Sequence, residues 1–164
     1  MASKVAFVKQ EINWIALIPK LLLLGVLCVC LYPVDQKIFF VPAFFIYFIL
    51  TRLAKWLFFP TALYESIKLI RNAEFGQAIP HIQKSIDYYI KNSWIDRYRY
   101  VLQISSAKTS IMESCLCNLA YCYLQTGEIQ TAKGKYEAIL AKYPENVNAR
   151  GMLTTINLLT QKGL

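Results

Sequence analysis

Residues 14–59, WIALIPKLLLLGVLCVCLYPVDQKIFFVPAFFIYFILTRLAKWLFF, decide the fold because they hold two apolar segments separated by a short polar turn. We place the segments at residues 14–32 and 38–59. At about 1.5 Å per residue, a helix of this length crosses a hydrocarbon core of about 30 Å. Residues 1–60 are therefore predicted to form a two-helix transmembrane hairpin.

Basic and indole side chains lie at the open end of this hairpin. Both groups favour the lipid headgroup region, so lipid is an expected partner. The predicted membrane-interface anchors are Trp14, Lys20, Arg52, Lys55 and Trp56. Because lysine and arginine collect at this end, whereas the turn holds one aspartate and one lysine, the positive-inside tendency predicts that both termini are cytoplasmic. The expected location is a bacterial inner membrane or another cytoplasm-facing membrane.

Two alternatives concern the hairpin. The strictly uncharged stretches 21–34 and 38–51 are short, which leaves open a re-entrant loop that enters and leaves at one membrane face. A cleaved signal peptide is disfavoured, since residues 30–33, at the end of the first segment, make a poor cleavage site.

Composition argues against several other classes of protein. The formal charge of +8 could indicate nucleic-acid binding, but in the first part of the chain the basic residues flank the apolar segments, and we expect no nucleic-acid partner. The five cysteines are divided between the first apolar segment and one later helix, and His81 is the only histidine. We therefore expect no metal site, no disulfide framework and no cofactor.

Beyond residue 60 the chain is polar and has helical periodicity. The clearest pattern combines large apolar residues, small residues, a glycine turn and a closing proline, and it consists of Leu116, Leu119, Ala120, Tyr123, Gly127, Ala132, Tyr136, Ile139, Leu140 and Pro144. The first four lie on one face of a helix. Ser110 and Glu113 form a capping box that predicts the helix start at Ile111.

This pattern resembles the tetratricopeptide repeat (TPR) family, with Leu116 in place of the frequent Trp and Ile139 where Ala is common. The resemblance covers residues 111–144 and implies two antiparallel helices. A terminal capping helix is expected over 147–160, with Leu153, Ile156 and Leu159 directed inward. The expected fold class is thus all-α, a transmembrane hairpin followed by a short TPR-like helical domain over 61–164.

A weaker copy of the repeat precedes it. Residues 74–78 echo residues 128–132, and residues 63–71 would form the first helix of the earlier pair. The two copies are 54 residues apart, whereas the period of the family is about 34 residues. The extra length falls in residues 91–108, where the pattern favours a short helix but also allows a strand.

In the family, the first helix of each repeat lines the inner surface. The resemblance therefore implies a partner-binding groove at Cys117, Tyr121, Leu124 and Gln125. This helix has no basic residue, so an apolar helix or peptide is a better expected partner than an acidic tail. Alternatively, Tyr121 and Leu124 are buried against residues 94–104.

No catalytic group of residues has a persuasive spacing, so we do not expect an enzyme. The leading hypothesis is a membrane-anchored adaptor or assembly factor that mediates protein–protein interaction at the cytoplasmic face. The alternative is an accessory subunit of a larger integral membrane complex, bound mainly through its hairpin by way of Gly25 and Ala43. Self-association into a homo-oligomer is a third possibility.

Overall fold

The computed structural model describes residues 13–33, 36–102 and 105–161. Within these ranges the chain is all-α, as predicted, and forms no β-strand. The helices are α1 (Leu17–Leu31), α2 (Phe40–Phe58), α3 (Thr61–Arg71), α4 (Phe75–Lys91), α5 (Ser93–Arg97), α6 (Ile111–Gln125), α7 (Ile129–Lys142) and α8 (Val147–Gln161). They fall into two compact units, which we call the hairpin unit (described residues of 11–60 and 92–108) and the helical unit (described residues of 61–91 and 109–164).

The hairpin unit contains the two apolar helices predicted from the sequence. A 3₁₀ turn at Trp14–Ala16 leads into α1, and the Asn13 side chain accepts a hydrogen bond from the Ile15 N–H at 3.0 Å. Pro19 lies in the first turn of α1, where a missing N–H costs little. The helical stretches 14–31 and 40–58 are both long and apolar enough to cross a membrane, and only 6% of each is buried.

The two apolar helices pack against each other through small and aromatic side chains. Ala43 of α2 is fully buried, which allows the helix backbones to approach closely. At the turn, the Tyr32 and Phe39 rings meet edge to face with centroids 5.5 Å apart. These contacts close the hairpin but leave its outer faces exposed.

Residues 92–108, which we call the insert, belong to the hairpin unit. The sequence predicts a single domain boundary at residue 60, and in the structure the described residues of this later segment group with the hairpin. The insert begins with the short helix α5 and continues in turns to residue 102. Its Trp94 ring meets the Phe58 ring of α2 edge to face at 5.7 Å.

The helical unit is a linear array in which each helix packs on the next. α3 packs on α4, α4 on α6, α6 on α7 and α7 on α8. The chain leaves this unit after Lys91 and re-enters it at Thr109, yet α4 and α6 pack directly. The core at the C-terminal end consists of Cys117, Ala120, Tyr136, Ile139, Ala149 and Ile156, with Leu116, Leu124, Leu140, Tyr143, Met152 and Leu153 packed around it.

Side-chain caps fix the starts of two helices. The Ser110 hydroxyl accepts from the Glu113 N–H at 3.1 Å while Glu113 Oε1 accepts from the Ser110 N–H at 3.3 Å, which confirms the predicted capping box. Asn146 caps α8, because its Oδ1 accepts from the Ala149 N–H at 2.8 Å. Asn146 Nδ2 also donates to Glu113 Oε2 at 3.0 Å. Glu113 therefore joins the starts of α6 and α8.

The turns at 72–74 and 126–128 are built in the same way, 54 residues apart. The equivalent backbone bonds are Asn72 N to Lys68 O (3.1 Å) and Thr126 N to Cys122 O (3.0 Å), Ala73 N to Ile70 O (3.0 Å) and Gly127 N to Leu124 O (3.2 Å), and Glu74 N to Leu69 O (2.9 Å) and Glu128 N to Tyr123 O (2.9 Å). The central residue has a positive φ in both turns, 62° at Ala73 and 87° at Gly127.

The same offset relates the small residues where paired helices approach most closely. Ser66 and Ala120 in the first helices, and Ala78 and Ala132 in the second helices, are all fully buried. The backbone of the turn and the buried small residues thus recur in α3/α4 and α6/α7 with an offset of 54 residues.

Helix α8 covers the end of the array. Ile156 is buried and Leu153 packs on the core, as expected from the sequence. The inward direction predicted for Leu159 is wrong, because this side chain is exposed. The core cluster ends at Ile156, one helical turn earlier, and so gives Leu159 nothing to pack on.

Candidate functional site

The four predicted groove residues of α6 do not share one open surface. Cys117 is buried in the core, and its Sγ donates to Asn146 Oδ1 at 3.6 Å. Tyr121 is half-buried and meets the Phe75 ring of α4 edge to face at 5.7 Å. Leu124 packs on the core cluster, whereas Gln125 lies partly exposed at the end of α6. The accessible part of the predicted site therefore consists of Tyr121, Leu124 and Gln125.

Two thiols of α6, Cys117 and Cys122, are suited to packing and not to nucleophilic chemistry. Burial raises the pKa of Cys122 to about 12. Burial, followed by the charge of Glu113, raises the pKa of Cys117 to about 12 against the opposing hydrogen bond to Asn146. At neutral pH both groups are therefore protonated thiols, and the thiolate that attacks electrophiles or binds metals is not formed.

The tyrosines beside these thiols are also held in their neutral form. Burial raises the pKa of Tyr121, and the neighbouring Cys122 adds to the effect. Burial likewise raises the pKa of Tyr136 on α7, assisted by Cys117, Tyr121 and Cys122. In the described part of the chain, no three residues of the His, Cys, Asp and Glu types lie together as a metal site would require.

The predicted membrane-interface anchors all lie in the hairpin unit. Trp14 and Trp56 are 77% and 76% exposed. Arg52 extends over the Phe48 ring with 5.9 Å to its centroid, and Lys55 is exposed. The ammonium of Lys20 donates to Ser106 Oγ, so this anchor is also joined to the insert.

The insert is held on the start of the hairpin by a hydrogen-bond centre at the Tyr100 hydroxyl. This hydroxyl donates to the Ala107 carbonyl at 3.0 Å and accepts from Asn13 Nδ2 at 3.1 Å and from Arg99 Nη2 at 3.0 Å. The Asn13 N–H donates to the Ser106 carbonyl at 2.9 Å. Residues that are 87 positions apart in sequence are thus joined directly.

Arg99 organises the insert from within. Its guanidinium lies 4.4 Å from the centroid of the Tyr100 ring, and Nη1 donates to the Asp96 carbonyl at 3.0 Å. Nη1 also lies 3.9 Å from Asp96 Oδ1, and Nη2 donates to the Lys108 carbonyl at 3.2 Å. Sequence reasoning did not identify this cluster, and the only local signal was the alternation of arginine and tyrosine at 97–100.

An open concavity lies along the outer face of α1. It has a volume of about 560 Å³ and is lined by apolar residues that recur at helical spacing from Ile18 to Cys30. Gly25 lies among them, and a Cβ added there would meet no atom within 4 Å. Of the two small residues predicted for hairpin contacts, Ala43 is used within the hairpin, whereas Gly25 faces outward.

Together these features define an all-helical chain with two helices long and apolar enough to cross a membrane. Comparisons with models of known protein families, with curated proteins and with solved structures find no match. The function is therefore argued from the residues themselves.

Proposed function

We propose that this protein is a membrane-anchored adaptor whose hairpin α1/α2 spans a cytoplasm-facing membrane and whose helical unit binds another protein as a TPR-like array. The observation that carries the proposal is the recurrence, 54 residues apart, of the same turn geometry and the same buried small positions in the helical unit. An array of stacked helix pairs offers continuous surfaces for another helix or peptide and requires no catalytic residues.

The exposure of α1 and α2 supports the membrane anchor. Core helices of soluble proteins are mostly buried, whereas the outer faces of these helices carry leucine, valine, isoleucine and phenylalanine open to the surroundings. Such a surface is unfavourable in water and favourable in hydrocarbon. The basic residues at the open end support an orientation with both termini in the cytoplasm.

The partner surface that we propose comprises Tyr121, Leu124 and Gln125. Helix α6 has no lysine or arginine, so an apolar helix or peptide suits it better than an acidic tail. Confinement of this surface to the membrane plane raises its effective concentration near a membrane-associated partner.

A matched pair of arginine variants tests the adaptor. Gln125→Arg places a charge at the proposed surface, and Gln130→Arg places the same charge at an exposed position of α7. The tagged full chain is used to capture proteins from detergent-solubilised membranes. We expect Q125R to lower capture of the main partner roughly tenfold, by analogy with the loss of a few interface contacts, and Q130R to leave it unchanged. Equal capture by both variants would rule out this surface of α6.

The second candidate function is an accessory subunit bound through the hairpin, and the concavity around Gly25 favours it. A small residue on an outer helix face allows a neighbouring transmembrane helix to approach closely. Gly25→Leu fills this space without disturbing the α1/α2 contact at Ala43. If G25L abolishes partner capture while Q125R preserves it, the result supports the accessory subunit and contradicts the adaptor. A discrete oligomer of the purified chain in detergent would support self-association.

A further inference from the structure

The insert has an outer face of exposed apolar side chains that the adaptor role does not explain. Trp94, Tyr98 and Val101 are 46%, 53% and 66% exposed, although aromatic and aliphatic side chains are usually buried. Their spacings of four and three residues are those of one face of a helical turn. Ile95 and Asp96, the two residues that follow Trp94, are buried on the opposite side, whereas Arg97 is exposed beside this face.

Contacts within the hairpin unit fix the position of this face along the hairpin, and so its depth relative to the membrane. Trp94 packs on Phe58 at the end of α2, and the Ser106 backbone and side chain bind Asn13 and Lys20 at the start of α1. Both contacts are at the open end of the hairpin, where the apolar helices would leave the hydrocarbon. The outer face of the insert therefore lies beside the same boundary as the indoles of Trp14 and Trp56.

The charges around this face fit an anionic lipid surface. Arg52, Lys55, Arg97 and Lys108 are exposed in the hairpin unit. Among the described residues of this unit, the one carboxylate is Asp96, which is buried next to Arg99. Each exposed lysine or arginine near an anionic leaflet adds to the attraction.

The backbone of the insert fits the headgroup region better than the hydrocarbon. Tyr98 N donates to the Trp94 carbonyl and Leu102 N to the Tyr98 carbonyl, both at 2.9 Å, and after the five-residue helix α5 the described backbone up to residue 102 consists of turns. Irregular backbone exposed to lipid is excluded from the hydrocarbon core and is tolerated at the interface, where water satisfies the remaining groups.

We propose that the insert is an interfacial membrane segment that seats on anionic phospholipid headgroups, with Trp94, Tyr98 and Val101 entering the boundary between headgroups and acyl chains. This inference rests on the proposed anchor, because it takes the hairpin to be in the bilayer. In this proposal, the extra residues between the two helix pairs hold the chain at the membrane surface.

The fluorescence of Trp94 provides the test. The full chain carrying Trp14→Phe and Trp56→Phe retains one indole, and both substitutions are at exposed positions where an apolar ring is tolerated. It is reconstituted into mixed phosphatidylcholine and phosphatidylglycerol vesicles that contain lipid brominated either near the headgroup or near the chain end. At a depth of about 5–10 Å, Trp94 is quenched more strongly by the shallow bromine than by the deep one and is shielded from aqueous iodide. N-acetyltryptophanamide, added to the same vesicles, gives the value for an indole in water.

A second variant separates the two proposals. The chain carrying Trp14→Phe and Trp94→Phe reports on Trp56 of the hairpin. If Trp56 is quenched by brominated lipid while Trp94 is quenched by iodide alone, the inference about the insert is overturned and the anchor stands. If neither is quenched by lipid, the anchor itself fails.

A third variant guards against misfolding of the Trp94 chain. Val101→Trp, in a chain whose three natural tryptophans are replaced by Phe, places the reporter elsewhere on the same face. We expect it to show the same shallow quenching, and exposure of this indole to iodide without lipid quenching overturns the proposal.

Discussion

At the scale of single residues, Ala73 and Gly127 occupy the same position of two equivalent turns with φ of 62° and 87°. Only glycine adopts this left-handed conformation without steric cost, and an alanine there loses about 1 kcal/mol. Ala73→Gly should therefore raise the stability of the full chain by roughly 0.5–1 kcal/mol, and Gly127→Ala should lower it by a similar amount. Thermal unfolding followed by circular dichroism in detergent measures both.

The pair contains its own control. Steric contacts do not hinder the change at Gly127, because a Cβ added there meets no atom within 4 Å. The backbone alone thus determines the sign. A loss of stability in both variants would show that the two turns are not equivalent.

Two buried thiols of α6, Cys117 and Cys122, predict a pH dependence of stability. Their pKa is 9.0 in an unfolded chain and about 12 in the fold, because burial disfavours the thiolate of both Cys117 and Cys122. Between these values the folded chain binds more protons than the unfolded chain, so the free energy of unfolding falls as the pH rises from about 9 to about 12. Below pH 9.0 these thiols make no pH-dependent contribution.

Cys122→Ala isolates this effect. The variant removes one of the two titrating thiols, so its thermal midpoint should fall less steeply with pH above 9.0 than that of the natural chain. The comparison uses the slope and is unaffected by the constant cost of the lost side chain. Parallel slopes in the two proteins would contradict the assignment.

At the scale of helices and turns, the insert depends on the Tyr100 hydroxyl. Tyr100→Phe keeps the ring beneath Arg99 but removes the donor to Ala107 and the acceptor for Asn13 and Arg99. The part-buried groups of Asn13 and Ala107 that lose this hydrogen bond cost about 1–3 kcal/mol, which should loosen the insert while leaving the helical unit intact. We expect faster tryptic cleavage at Arg97 and Arg99 and faster hydrogen exchange over 92–102.

Tyr98→Phe is the matched control, since it removes the same hydroxyl from an exposed ring of the same segment. It should leave the rates of cleavage and exchange unchanged. Equal acceleration in both variants would mean that the hydroxyl of Tyr100 does not hold the insert.

Elements that depend on local patterns could be predicted from the sequence. The apolar segments, predicted at 14–32 and 38–59, correspond to the helical stretches 14–31 and 40–58. The capping box at Ser110 and the final helix from residue 147 were predicted for the same reason, because their signals lie within a few residues.

The contacts of the insert could not be predicted in this way. The bond between Asn13 and Tyr100 joins residues 87 positions apart, and no local periodicity records such a pairing. The burial of Cys117 was missed for a related reason. The resemblance places this position on an inner surface, but here the neighbouring α8 and its cap at Asn146 close over it.

At the scale of the whole molecule, the distribution of charge predicts a topology. The open end of the hairpin holds Lys20, Arg52 and Lys55, whereas the described part of the turn holds Lys37. The positive-inside tendency therefore predicts that the turn between α1 and α2 lies on the far side of the membrane from both termini. A cysteine at the turn, introduced as Gln36→Cys, should react in intact cells with a maleimide that cannot cross the membrane.

The same cells separate a spanning hairpin from a re-entrant loop. The unaltered chain corrects for reaction at Cys28 and Cys30, which lie near the turn end of α1. In a re-entrant loop, Gln36 would remain inside the bilayer or on the cytoplasmic side, and Q36C would react in intact cells no faster than the unaltered chain. Tags at the N- and C-termini should be protected from protease in intact cells and cleaved in inverted vesicles. If Q36C is labelled from outside while both terminal tags are protected, the chain must cross the membrane twice. A chain that crossed once would leave one terminus exposed to the protease.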